Sequence, residues 1–246
     1  MKYENEIFKT HKYGDLVITN YVNSREVYVK FVKTGYETVT NFGNIKKGIV
    51  RDKLLPSVHG VGIVGDEPTS LCGKDVKEYV IWKGVLQRCY DKKYHKSRPT
   101  YIDCTTSENF NYYPYFKDWC SKQIGFEQEG WHLDKDILVK GNKLYSEDTC
   151  CFVPSELNNL LVKSKRVRGK YMIGVSYNKT KGKFESNVNI FGSKEHLGLF
   201  NTEFRAFQAY KEAKEQHIKE VANKWKDKID PRAYEALMKW NVDITD

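Results

Sequence analysis

Hydrophobic and polar positions change period along this chain. Near the N-terminus they alternate in twos. Asp15–Tyr21 (DLVITNY) and Arg25–Val32 (REVYVKFV) are rich in β-branched and aromatic residues, with Asn23-Ser24 between them. That pattern predicts a β-hairpin. Thr34-Gly35 makes a second turn before Tyr36–Phe42, a third strand. Gly43, Gly48, Pro56, Gly60, Gly62 and Gly65 then punctuate a turn-rich stretch. The period turns helical in Val76–Tyr90, where Val76, Tyr79, Val80, Lys83, Leu86 and Tyr90 share a face. The aromatic-dense stretch Asn111–Lys122 predicts another helix starting near Pro114. Trp131–Asn159 reads as a short extended stretch, a loop at Gly141-Asn142 and a helix over Pro154–Leu161, with Ser155 as its N-cap.

Period two returns in three short strands, Tyr171–Asn178, Phe184–Ile190 and His196–Leu199. The joining turns are Lys181-Gly182-Lys183 and Phe191-Gly192-Ser193. In the second strand Phe184, Ser186, Val188 and Ile190 face one way, and Glu185, Asn187 and Asn189 the other. In the first, Val175 and Tyr177 oppose Ser176 and Asn178. A helix from about Thr202 to Lys226 comes next, with a stripe of Phe204, Phe207, Ala209, Tyr210 and Ala213, then a short helix over Pro231–Trp240. The expected fold class is α+β in three segments. Residues 1–69 form a small β-barrel-like domain, 70–161 a module of helices around a ββα unit, and 162–246 a three-stranded antiparallel sheet packed on a helix, with C-terminal helices.

Charge narrows the partners. The chain has 41 Lys+Arg against 32 Asp+Glu, a net charge of +9. Eight of those cations fall in Val162–Lys183 without one acid: Lys163, Lys165, Arg166, Arg168, Lys170, Lys179, Lys181 and Lys183. Such an excess favours polyanions. No apolar run approaches the roughly 18 residues of a membrane span, and the N-terminus is polar. The expectation is a soluble, cytoplasmic protein with no membrane partner. The six cysteines lack C-x-x-C spacing and suit a reducing compartment; Cys72, Cys89, Cys104 and Cys120, 15 to 17 residues apart, could converge on a metal, but buried free cysteines more commonly behave as small hydrophobes.

Two motif sets carry resemblances. Gly174-Val175-Ser176-Tyr177, Gly182-Lys183-Phe184, Leu197-Gly198-Leu199-Phe200-Asn201-Thr202, then Ala206, Ala209-Tyr210 and Ala213 occur in that order. The set resembles the APETALA-type DNA-binding domain of ethylene-response factors over about 45 residues. The resemblance implies a sheet laid in the major groove of double-stranded DNA, with Ser176, Asn178, Glu185, Asn187, Asn189 and His196 facing the bases. Plant members place arginines there, so their sequence preference does not transfer.

Upstream, Leu133-Asp134-Lys135-Asp136, Gly141-Asn142, Tyr145-Ser146, Cys150 and Asn158-Asn159 resemble the asparagine-rich HNH homing endonucleases of phages. Trp82, Arg88-Cys89-Tyr90 and Trp119 fit the preamble of that family. The two modules together span roughly 76–215 in the family's usual order. The resemblance implies a divalent metal, Mg²⁺ or similar, on Asp134 and on Asn158 or Asn159. The family's general-base position holds Lys135, which is protonated at neutral pH, and Thr149 stands where the family has its middle Asn. His132 is the nearest imidazole. Alternation along an extended strand would gather His132, Asp134 and Asp136 on one face as the catalytic group. Three readings stand: a metal-dependent DNA endonuclease, a non-enzymatic DNA-binding regulator on the same frame, and a phage protein that binds a host protein through residues 1–69. All would act in the bacterial host cell.

Overall fold

Alternation in the first forty residues makes a four-stranded sheet rather than a three-stranded one. The computed structural model describes residues 3–161 and 170–244. Strands β1 (Ile7–Lys9), β2 (Asp15–Asn23), β3 (Glu26–Phe31) and β4 (Glu37–Thr40) run antiparallel in that order. β1 is too short to announce itself. The expected third strand stops early because Asn41 caps a helix, α1 (Phe42–Lys46), its Oδ1 accepting from the Asn44 amide at 2.8 Å. Phe42 therefore enters the core from a helix, beside Leu16, Ile18, Val27, Val29, Phe31 and Ile45.

The next elements are the hairpin β5 (Ser70–Leu71) and β6 (Lys74–Asp75), then α2 (Lys77–Tyr90), α3 (Lys92–Ser97), β7 (Thr105–Thr106) and α4 (Tyr113–Ser121). Trp82, fully buried on α2, donates its indole N–H to the Phe110 carbonyl at 2.7 Å. Beyond them lie β8 (Trp131–Asp134), β9 (Leu144–Tyr145), β10 (Cys151–Pro154) and α5 (Ser155–Leu160). Ser155 is the first helical residue rather than the cap, and its hydroxyl donates to the Gly130 carbonyl. The chain ends in β11 (Val175–Asn178), β12 (Lys183–Ile190), β13 (Ser193–Phe200), α6 (Glu203–Trp225) and α7 (Pro231–Met238).

The fold is thus mixed α and β with several small sheets, including a C-terminal three-stranded antiparallel sheet with a helix. The chain divides into two compact units, Met1–Cys120 with Lys143–Ser146, and Ser121–Asn142 with Glu147–Asp246. Segment 70–161 contributes to both. In the second unit one apolar cluster joins Ile137, Cys151, Val153 and Leu157 to Val188, Phe207, Tyr210, Ile218 and Val221. The ββα strands and the C-terminal sheet and helices therefore share a core. The stripe of α6 begins at Ala206 and continues through Phe207, Tyr210, Ile218 and Val221, whereas Phe204 is exposed. Among the described residues, no helix is long and apolar enough to cross a membrane.

Candidate nucleic-acid interface and catalytic cluster

The C-terminal sheet is aimed by its two turns and by α6. Gly174 enters β11 at φ +75°, and a Cβ there would overlap the Tyr210 ring on α6. The Met172 amide donates to Glu203 Oε1 at 2.6 Å, and Thr202 Oγ1 caps the helix by accepting from the Arg205 amide at 3.3 Å. At the first turn Asn178 Oδ1 accepts from the Lys181 amide at 3.1 Å. The second turn takes positive φ at Phe191 and Gly192, which suits a tight two-residue hairpin. The Phe191 ring meets the buried His217 ring edge-on, centroids 4.7 Å apart.

Register then sorts the side chains. Val175 pairs with Ser186 and Tyr177 with Phe184. Ser186 and Val188 are buried, so this face packs towards α6, where β12 and α6 are in contact. The outward face is built from the alternate positions. Ser176 pairs with Glu185 and Glu185 with Leu199, then Asn187 with His196, and Asn189 with Lys194, beyond a bulge at Ser186/Asn187. His196 Nδ1 lies 3.2 Å from Glu185 Oε1. All six residues expected to read bases therefore stand at register positions of one face. Asn178 lies at the sheet's end with its carbonyl oxygen committed to the turn. Lys194 and Leu199 share the face and were not among the expected readers. Their signal was the Phe191-Gly192 turn, which fixes the β13 register. Lys170, Lys181 and Lys183 are exposed. Lys163, Lys165, Arg166 and Arg168 lie outside the described residues.

The ββα unit is assembled from β8, β10 and α5. β8 and β10 pair antiparallel, Asp134 opposite Cys151 and His132 opposite Val153. His132 is exposed, and its Nδ1 lies 3.4 Å from Asn158 Nδ2 on α5. Asn159, one position on, is exposed. β8 ends at Asp134 because its Oδ1 accepts from the amides of Asp136 and Ile137, both at 2.7 Å, which turns the chain. Asp136 therefore leaves the strand and does not join His132 and Asp134 on one face. Its carboxylate instead accepts from Lys135 Nζ at 2.8 Å through both oxygens.

Lys135 is buried, and its ammonium also donates to the Asn142 carbonyl at 2.6 Å. Asn142 Nδ2 donates back to the Lys135 carbonyl at 3.0 Å. Lys135 thus ties the two ends of the 135–142 loop together. Burial pushes the Asp134 carboxyl above the usual aspartate range, against the two amide hydrogen bonds that pull it down. Among the described residues no group of three His, Cys, Asp or Glu side chains could hold a metal. Asp134 and Asn158 offer one carboxylate and one amide oxygen. Hard oxygen donors of these two types suit Mg²⁺, which keeps several of its waters and takes others of its ligands from phosphate. No family model, no curated protein and no solved structure matches this chain.

Proposed function

We propose that this chain binds double-stranded DNA through the outward face of β11, β12 and β13, in the manner of the phage homing endonucleases it resembles. The observation that supports this reading most is the single polar face carrying Ser176, Glu185, Asn187, Asn189, Lys194 and His196 on a sheet whose other face is buried towards α6. A twisted ribbon of strands fits the major groove, and asparagine amides match the N6 and N7 edge of adenine. Net charge of +9 supplies the sequence-independent attraction to phosphate. Selection of bound sites from a random duplex library tests this. A single enriched motif whose enrichment depends on Asn187 and Asn189 supports it, and retention of no duplex at low salt overturns it.

A second reading, phosphodiester hydrolysis at the ββα unit, is supported by the approach of Asn158 to His132. With the amide turned so that its oxygen accepts Nδ1–H, His132 keeps the Nε2 lone pair for a water proton. Asp134, with Asn158 or Asn159, would hold a divalent cation, which neutralises charge on the scissile phosphate. Lys135, buried and bonded, takes no part in proton transfer. Plasmid nicking by purified protein with Mg²⁺ or Mn²⁺, with and without chelator, separates an endonuclease from a regulator on the same frame.

A further inference from the structure

Arg88, near the C-terminal end of α2, is a guanidinium without a carboxylate. Its Nε donates to the Gly84 carbonyl at 2.9 Å, and Nη1 reaches the Tyr145 hydroxyl at 3.5 Å. Its remaining contacts are tyrosines: the Tyr145 ring, 5.6 Å from Cζ to centroid, and Tyr101, with which its side chain is hydrogen-bonded and whose ring lies 6.0 Å away. Tyr145 is buried and Tyr101 half-buried. Among the described residues no acid pairs with Arg88. Arg232, by contrast, holds Asp230 through Nε and Nη2. An arginine stays charged at any physiological pH and carries five N–H donors in a fork. Ring faces answer part of that charge but do not replace an anion on the fork.

The surroundings are cationic. The next turn of chain, α3 and its end, exposes Lys92, Lys93, Lys96 and Arg98. The one acid between 88 and 98 is Asp91, whose Oδ1 accepts from the amides of Lys93 and Tyr94 to cap α3. His95 Nε2 lies 2.7 Å from the Arg88 carbonyl and pins α3 to the end of α2. A fork with no acid on it, beside three exposed lysines on a short helix and the arginine just past its end, has the chemistry of a phosphodiester receptor.

We infer that the α2–α3 corner is a second DNA contact, in which Arg88 receives a backbone phosphate oxygen and Lys92, Lys93, Lys96 and Arg98 flank it. The inference rests on the DNA-binding reading and adds a contact in the other compact unit, remote in sequence from the sheet. It specifies position on the duplex rather than base identity.

The test uses the full chain and duplex DNA in anisotropy titrations across a salt series. Replacing Lys92, Lys93, Lys96 and Arg98 together with alanine should weaken specific and random duplex alike. It should also flatten the salt slope by about 0.9 for each phosphate no longer neutralised. Arg88→Lys keeps the charge and removes the fork, and should lower affinity about tenfold. Should Arg88→Lys fail to fold, the exposed quartet decides alone. A quartet variant with parental affinity and slope overturns the inference while leaving DNA binding by the sheet intact. A folded Arg88→Lys that binds like the parent removes Arg88 from the contact. Absence of duplex binding by the wild type overturns both readings.

Discussion

Gly174 lies against the ring of Tyr210, so closely that no side chain fits between β11 and α6 at that point. The glycine also sits at φ +75°, which L-residues rarely adopt. Both constraints act on one residue. Gly174→Ala should destabilise the second unit by about 2–4 kcal/mol, through overpacking and backbone strain together. Urea unfolding measures this. The companion change Tyr210→Leu in the alanine background should recover part of the loss, because it removes the ring that the new methyl meets.

The outward sheet face should separate recognition from folding. Asn187→Ala and Asn189→Ala remove amides from that face without opening a cavity, so each should cost about 1–3 kcal/mol of discrimination between specific and random duplex where it contacts a base. Ile218→Ala, in the apolar cluster under the sheet, should instead cost about 2–5 kcal/mol of stability and leave discrimination unchanged in the folded fraction. Paired binding and unfolding curves for these variants test the division. Equal loss of specific and random binding in the asparagine variants would assign those amides to phosphate.

The contrast between these two faces was legible in the sequence because β12 alternates without a break: Phe184, Ser186, Val188 and Ile190 against Glu185, Asn187 and Asn189. The long helix is legible for the same reason, yet periodicity starts its stripe two residues early, on Phe204. A large aromatic at the first turn of an amphipathic pattern looks like core until the sheet's edge is known. The ββα region was harder. Alternation predicts that 132, 134 and 136 share a face only while the chain stays extended, and the Asp134 carboxylate itself ends the strand. Asp136 is lost from the group by a side-chain-to-backbone bond that no periodicity encodes. Arg88 was visible as part of a motif, but its lack of an acid partner is a fact of three dimensions.

Lys135 works as a latch on the loop that follows β8. Its ammonium holds Asp136 and the Asn142 carbonyl from a buried site, so removing it leaves a carboxylate and a carbonyl short of a donor. Lys135→Ala should cost about 1–3 kcal/mol of stability, because the Asn142 carbonyl loses its donor while water takes up the half-exposed Asp136 carboxylate. Lys135→His should not create or enhance nicking, because an imidazole is too short to reach Asn142 and would sit in the same buried direction. His132→Ala should by itself carry the loss of about 10²–10⁴ in rate if the protein cleaves DNA. Nicking rates of the two histidine-related variants, measured beside their thermal midpoints, tell a base from a latch.

Asp134 gives the sharpest test of the metal reading, because its pH response and its metal response have opposite signs. Burial raises its folded pKa above the ordinary aspartate value. A group raised in this way contributes stability that is fully present below the unfolded pKa and is lost as pH rises through the folded pKa. Asp134→Asn keeps an oxygen that can accept from the Asp136 and Ile137 amides and carries no charge to desolvate. The variant should therefore be more stable than the wild type at neutral pH without metal, and the difference should shrink as pH falls through the raised pKa. Saturating Mg²⁺ should reverse the order at neutral pH. A cation on the carboxylate stabilises the wild type by RT ln(1 + [L]/Kd), about 2.7 kcal/mol at a hundredfold excess over Kd, and gives the asparagine variant less. Thermal midpoints of both proteins at about pH 4 and about pH 7.5, with and without Mg²⁺, check all four corners. Equal Mg²⁺ shifts in the two proteins would place any bound cation away from Asp134 and overturn the metal reading of the ββα unit.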